Sequence, residues 1–595
     1  MQYRREIDGL RALAVIPVIL FHAGIQTFSG GFVGVDIFFV ISGYLITTII
    51  LADLEQDKFS IMNFYDRRAR RILPALYAMM AASLIVGYFT LMPDEFKRLG
   101  QSVVATSLFS NNMLLAFTSG YWDLDSEFKP LLHTWSLGVE EQYYFIFPIL
   151  MLLLWKYFKT KIFLSLSILL VGSLLFASWL VDISPNLAFY ILPTRAWEIL
   201  LGAIAALYLS KKGKVNVSLT QANCLSLVGI FLIIGSMLIF DQSYPSPSFF
   251  MLIPTVGVIL VIFFAKEGTY SNKILSHKSL VSIGLISYSL YLWHQPIFSF
   301  IRITSTDRPP TYLFVASIAL IAFVSYISWR FIEKPFRNTK TVSRSSVLGC
   351  SVLASIAMIG IGLFLNNSYG LHQRFFDSTT KIEDVDKRIY NERVYEYKKD
   401  RFNSSGDTKI LVIGNSFARD FVNMTTENFN THGVEIVYRN DLKQCIYPYT
   451  DSLSKDLFSS ADVIVFASGE LSDKCLNNDI AYSDLLKKKL YYSGTKHFGY
   501  NLNWVIRLKT EDRHDQYNKI PSTILEVEDA MIKTIPNQHF ISLLSSTLDG
   551  DLIPITDNRG RMLSTDRLHL TKYGAIYFGE KSLKHSDYAK LFGGS

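Results

Sequence analysis

Apolar runs of about 20 residues, the length that a bilayer core demands, recur between short polar loops up to about residue 366. Eleven runs read as membrane spans, at 7–28, 33–52, 73–92, 135–155, 162–181, 193–210, 222–240, 249–265, 283–302, 312–332 and 347–366. The stretch LGQSVVATSLFSNNMLLAF is amphipathic, and reads as interfacial or re-entrant. Past residue 400 the pattern changes. Short apolar strands alternate with polar helical stretches over 401–595, which predicts an α/β domain with a parallel sheet. The expected organisation is therefore multi-domain: a polytopic α-helical membrane domain over 1–340, an eleventh span and linker over 341–400, and a soluble domain over 401–595.

Charge gives this reading a direction. The loops YDRRARR, WKYFKTK, KKGK, KEGTYSNKILSHK and EKPFRNTKTVSRSS alternate with loops nearly free of Lys and Arg. Under the eleven-span count all five fall on one side with the N-terminus, the cytoplasmic side, and the odd number exports the C-terminal domain. The net charge of +7 comes largely from these loops, which gives nucleic-acid binding little support. No small-residue cleavage site follows the first apolar run, so it is expected to stay as a span. Cys224 and Cys350 fall in spans as apolar filler, whereas Cys445 and Cys475 both fall in the exported domain, where an oxidising compartment permits a disulfide.

Ionisable groups inside spans carry the candidate chemistry. In DGLRALAVIPVILFHAG, Arg11 and His22 lie eleven residues apart. At about 100° per residue that is about three turns, so both share one helix face about 16 Å apart. Asp36 sits near the outer end of the second span, and FYDRRARRILPAL packs Arg67, Arg68 and Arg71 at the start of the third. Topology alone, anionic lipid or a phosphate ligand would each explain that cluster. His133, Glu140 and Glu141 open the fourth span, and His294 lies mid-span in SYSLYLWHQPIF. Each residue alone is compatible with a structural polar role.

Taken in order, these motifs, with GGFVGVDIFFVISGYLI, HTWSLGVEEQYY and FIEKPFR, resemble the membrane acyltransferase-3 family over about residues 5–337. The resemblance extends to fused members that carry an extra span and an SGNH-type domain, such as bacterial O-antigen O-acetylases. It implies an essential Arg11 and His22, a donor-binding arginine motif at Arg67, Arg68 and Arg71, and a motif glutamate at Glu141. Asp36, His133 and His294 are further candidates. It also implies acetyl-CoA as cytoplasmic acyl donor, the bacterial inner membrane as location, and a polysaccharide acceptor outside.

In the soluble domain, TKILVIGNSFARDF reads as strand, glycine turn and helix, with a single glycine where a dinucleotide fold wants three. Ser416 at that turn suits a nucleophile, and LSTDRLHLTKYGA places Asp566 three residues before His569, spaced to orient an imidazole. The pair of motifs resembles the three-layer SGNH hydrolase fold. That resemblance implies Ser416, Asp566 and His569 as the triad, and Gly469 and Asn501 (the latter in a G-x-N with Gly499) as the oxyanion hole. The usual G-D-S opening is G-N-S here, with Asn415. The expected function is O-acetylation of a surface polysaccharide, lipopolysaccharide O-antigen foremost, with no metal. Alternatives are acylation of peptidoglycan or another glycan, and a transporter-like membrane domain with an exported esterase or binding domain.

Overall fold

The computed structural model describes residues 3–118, 124–213, 215–403, 407–443, 445, 452–469 and 475–593; Lys214, the last residue of the KKGK loop, lies outside them. The chain divides into two compact units. One is helical and comprises residues 1–88, 97–302 and 309–367; the other comprises 89–96, 303–308 and 368–595.

In the helical unit, eight helices among the described residues are long and apolar enough to cross a membrane: Gly31–Glu55, Ile61–Thr90, Thr134–Tyr157, Lys159–Ile183, Pro185–Lys211, Leu219–Ile239, Thr311–Arg337 and Arg344–Asn367. The other three expected spans are helical but differ in kind. Arg5–His22 carries Arg5, Glu6, Asp8 and Arg11, Ser287–Thr304 carries His294, Gln295 and Arg302, and Phe249–Phe264 is short. The chain is a multi-pass membrane protein. One boundary departs from expectation. The third helix starts at Ile61, so the arginine cluster is helical and not a loop. Arg and Ala are good helix formers, and the run has no breaker before Pro74. The stretch read as interfacial or re-entrant forms two helices, Pro93–Ser107 and Asn111–Thr118.

The helices sort by how much of their apolar surface meets protein. The most apolar window of Gly31–Glu55 is 67% buried and that of Arg344–Asn367 only 17%, so the former is the hub and the latter is left to lipid. Glycines set the tightest crossing. A Cβ on Gly43 would lie 1.8 Å from the Ile199 carbonyl oxygen, and one on Gly202 would lie 2.0 Å from that of Val40. That contact draws the hub against the helix Leu192–Lys212 with backbones nearly touching.

The second unit is built on five parallel strands in the order β2-β1-β3-β4-β6: β1 Thr408–Ile413, β2 Val434–Arg439, β3 Val463–Phe466, β4 Lys489–Ser493 and β6 Phe540–Ile541. A small antiparallel ribbon pairs β5 Tyr517–Lys519 with β7 Leu552–Pro554. Strand residues alternate between two cores, as a pleated sheet covered on both faces requires. Ile410, Val412 and Val465 pack with the helices Ser416–Asn428 and Lys572–Lys581; Leu411, Ile413 and Phe466 pack with Ser452–Ser460 and Ser522–Thr534. Three layers result. Met92, from the segment 89–96, is buried in the first of these cores.

Candidate active sites

A cavity of about 250 Å³ opens inside the helical unit. Arg11, Arg68 and Arg71 line it, with Ser42, Glu140, Tyr144, Tyr288 and Tyr291 among the remaining wall. Their partners explain the selection. Positions 67, 68 and 71 all lie within about one turn of one another, but Arg67 is held by Asp53 at 3.0 Å and Arg70 is a buried bolt, which leaves Arg68 and Arg71 to the cavity. Arg70 holds Asp66 at 3.0 Å and the carbonyls of Phe336 and Val342 at 3.2 and 2.9 Å. Arg11 leans on Asp8 at 3.4 Å, and Arg68 lies over the rings of Phe64 and Tyr144 at 6.0 and 5.8 Å. Arg71 makes no hydrogen bond or ion pair among the described residues. Glu140, the acidic residue of the wall, accepts from the hydroxyls of Ser42 and Tyr144. Three guanidiniums line the wall beside one lining carboxylate, with Asp8 behind Arg11, and this lining suits an anion.

Tyr291 joins this cavity to a histidine cluster. Its hydroxyl donates to the His133 carbonyl at 2.9 Å and lies 2.6 Å from Ser136 Oγ. The His133 and His294 rings are 5.4 Å apart, and those of His22 and His294 are 5.1 Å apart. Hydrogen bonding fixes the tautomers. His294 Nδ1 is 2.6 Å from the Tyr291 carbonyl, which only accepts, so Nδ1 carries the proton and Nε2 is an acceptor. His22 Nδ1, 3.2 Å from that Nε2, must then donate. The His22 ring also bonds the Val18 backbone within its own helix, and with both imidazoles neutral the proton shared with His294 sits on His22 Nδ1.

In the α/β unit, Gly414 ends β1 with φ +147°, where a Cβ would lie 1.9 Å from the Ala467 carbonyl oxygen. Asn415 follows as helix cap: its side-chain oxygen accepts from Phe417 N at 2.9 Å while its Nδ2 donates to the Ser468 carbonyl at 3.1 Å. An aspartate could cap but could not donate, which gives G-N-S a physical sense. Ser416 begins the helix, half-buried, and its hydroxyl makes no hydrogen bond among the described residues. His569 Nδ1 is 2.7 Å from Asp566 Oδ2, and Asp566 Oδ1 accepts from the backbone N–H of Leu568 and His569, each at 2.7 Å. Burial pushes the Asp566 carboxyl up, but the Lys387 ammonium and His569 outweigh it and hold the group well below the usual carboxylate range.

The model of the Acyltransferase domain family matches residues 4–330, more than half of the chain. The chain belongs to the acyltransferase family. Its relatives include "Putative O-acetyltransferase SAR0937" of Staphylococcus aureus (strain MRSA252), 29% identical over 539 residues that cover 83% of this chain and 87% of the relative. "Peptidoglycan O-acetyltransferase OatA" of Listeria monocytogenes is 33% identical over 57% of this chain and 56% of its own length. "O-acetyltransferase OatA" of Staphylococcus aureus (strain NCTC 8325) is 32% identical over 57% and 58%. No solved structure matches the chain.

Other candidate residues of this acyltransferase occupy different settings. Asp36 is fully buried against Arg195 at 3.1 Å, and Arg195 also holds Glu198 at 3.1 Å while packed among the rings of Phe39, Trp135 and Phe189. That cluster sets two buried carboxylates against one guanidinium. Neither Arg195 nor Glu198 stands out in the sequence, because single charges near a predicted helix end look ordinary. Glu141 does not line the cavity; its neighbour Glu140 does. Gly469 follows β3 with φ +79°, where a Cβ would strike the Phe417 ring. Both amide hydrogens of Asn501 go to the carbonyls of Ile303 and Ser305 at 2.7 Å, and its oxygen accepts from Asn503, so the residue expected to donate to an oxyanion is committed elsewhere. Cys445 and Cys475 are joined as a disulfide.

Sequence reasoning also passed over Lys496. It is fully buried, with Nζ 2.9 Å from Asp420 Oδ2, 2.6 Å from the Leu568 carbonyl and 3.7 Å from the Phe417 ring centroid. Asp420 Oδ2 also accepts from Leu570 N at 3.2 Å. This pair rivets the Asp566–His569 loop to the helix that begins with Ser416. A lysine after a strand, with no motif around it, gives no sequence signal of such a task.

Proposed function

We propose that this protein is an O-acetyltransferase that takes acetyl from acetyl-CoA on the cytoplasmic side of a bacterial plasma membrane and delivers it to a glycan hydroxyl outside. One observation carries the reading: an arginine-lined cavity shares Tyr291 with a histidine cluster that includes His22. Arg11, Arg68 and Arg71 suit the phosphates of coenzyme A, and the thioester would lie toward Tyr291. His22 takes the proton of the attacking hydroxyl as its oxygen bonds to the acetyl carbon; the C–S bond breaks, and the imidazolium returns the proton to the thiolate.

On the outer side the α/β unit acts as an SGNH-type transferase. Ser416 Oγ bonds to the acetyl carbon of the ester formed in the membrane step while His569 removes its proton; that ester's C–O bond breaks, the imidazolium returns the proton to the departing oxygen, and a sugar hydroxyl then takes the acetyl from Ser416 by the reverse path. The alternation of basic loops supports the topology that puts donor and acceptor on opposite sides. The acceptor is a surface polysaccharide: lipopolysaccharide O-antigen on the sequence resemblance, or peptidoglycan on the name of the Listeria relative.

Mass spectrometry of both glycans from cells carrying wild-type, His22→Ala or Ser416→Ala protein tests the proposal. Acetyl esters should vanish from one glycan in both variants, with a loss of roughly a thousandfold for Ser416→Ala. Full acetylation with His22→Ala at normal protein level would overturn the membrane step. Full acetylation with Ser416→Ala would reduce the α/β unit to a binding module.

A further inference from the structure

The segment before β1 reads as a plain linker, yet it reaches the Ser416 site. Its helix Lys387–Glu392 is capped by Asp386, whose side chain accepts from Arg388 N and Ile389 N at 3.0 and 3.1 Å. The cap fixes where the first residue points. Lys387 Nζ lies 2.5 Å from Asp566 Oδ2, the same oxygen that holds His569 Nδ1 at 2.7 Å. It also lies 3.9 Å from Asp94 Oδ2, on the segment 89–96 that belongs to this unit. All three side chains are largely buried, at 17%, 13% and 14% exposure.

An orienting carboxylate in a Ser-His-Asp site serves two ends: it aims the imidazole and opposes the positive charge that forms there. An ammonium on the same oxygen supports the first end and weakens the second. We propose that Lys387 is a positioning residue of the Ser416 site, locking the Asp566 carboxylate in place while sharing its charge with His569, and that Asp94 competes for the same ammonium. This rests on the reading of Ser416, His569 and Asp566 as a transfer site. The second carboxylate makes the arrangement adjustable: the closer Lys387 sits to Asp94, the more of the Asp566 charge is returned to His569.

Other charges around the loop have partners of their own, Lys572 with Asp384 at 3.3 Å among them. Lys496 and Asp420 neutralise each other at 2.9 Å behind it. Arg567 has Glu95 as its electrostatic partner. Burial pushes the His497 imidazole down to about 4, so it adds no charge near neutral pH although Asp566 draws it up and Lys496 opposes. Lys387 is therefore the cation that acts on Asp566 most directly. Without it, burial would push that carboxyl up and protonate it at higher pH.

The test uses the full chain in detergent and a fluorophosphonate probe. Its rate of attachment to the Ser416 peptide is read by mass spectrometry between pH 5 and 9 for wild type, Lys387→Met, Lys387→Arg and Asp94→Asn. In Lys387→Met the acid limb should move to higher pH by about one unit, a loss of roughly tenfold in rate at pH 5.5 relative to wild type. Lys387→Arg should keep the wild-type profile, and Asp94→Asn should shift it in the opposite direction. A Lys387→Met profile that superimposes on wild type overturns the proposal, as does an Arg variant that behaves like Met. An Asp94→Asn shift toward higher pH removes the competing role of Asp94. Melting temperature separates a positioning loss from misfolding, and Asp94→Asn tests the charge argument without touching the lysine. Glycan acetylation that survives Ser416→Ala would sink the transfer reading and leave this comparison standing, since the label reports on Ser416 itself.

Discussion

The two candidate sites handle charge in opposite ways. In the helical unit Arg71 faces a cavity with no hydrogen bond or ion pair among the described residues, and Arg11 and Arg68 are only loosely engaged. In the α/β unit the two lysines at the Asp566–His569 loop are each matched to a carboxylate: Lys496 with Asp420, Lys387 with Asp566. Unmatched charge is costly, and a protein keeps it where a ligand will supply the counter-charge. Matched charge fixes geometry instead. The lining of the first site suits an anion; the second holds a loop still.

The comparison breaks most visibly at Lys496. Lys496→Met leaves Asp420 buried without its cation and should destabilise the α/β unit by about 3–5 kcal/mol, seen as early proteolysis of that unit in the full chain on heating. Melting equal to wild type would mean that the pair is not a rivet. His497 tests the same rigidity through pH. Its imidazole is held down to about 4, against about 6.5 when unfolded, so between these values the unfolded state binds the extra proton. Stability from this residue is complete above about pH 6.5 and falls as pH drops toward 4, by about 3 kcal/mol in all. His497→Gln should flatten the fall in melting temperature over that window.

The receiving site should respond in binding instead of stability. Arg71→Ala should weaken acetyl-CoA binding to purified protein roughly ten- to a hundredfold, the worth of one charge-assisted contact. The melting temperature should hold, since no hydrogen bond or ion pair among the described residues is lost. Arg67→Ala should change donor affinity by less than about twofold, because its partner is the surface carboxylate Asp53. Equal losses in the two variants would return the whole cluster to a topology signal or lipid contact.

These contrasts also show what the sequence could and could not disclose. The helical and α/β halves were legible because length and period are local properties. So was the Ser416 turn, since strand, glycine and helix follow one another directly. The common face of Arg11 and His22 followed from spacing alone, but their partners did not: Arg68, Tyr291 and His294 come from other helices, and only packing decides which side chains meet. Arg67 was grouped with Arg68 and Arg71 by sequence proximity, whereas Asp53 holds it. Asn501 looked like an oxyanion donor from its G-x-N setting, yet carbonyls from residues 303 and 305, some 200 positions away, claim its amide. Lys387 and Lys496 gave no signal because a lysine is informative only once its counter-ion is known.

The membership of residues 89–96 and 303–308 in the α/β unit bears on how modular this protein is. The chain passes from one unit to the other five times, at 88/89, 96/97, 302/303, 308/309 and 367/368. A fragment cut at residue 368 would lack Met92 from its interior, the carbonyls that Asn501 grips and the Asp94 neighbour of Lys387. The α/β unit is thus not a cassette to be exchanged between enzymes at a single splice point. A chimera that preserves it must carry along the two short pieces, 89–96 and 303–308, that interrupt the helical unit in sequence.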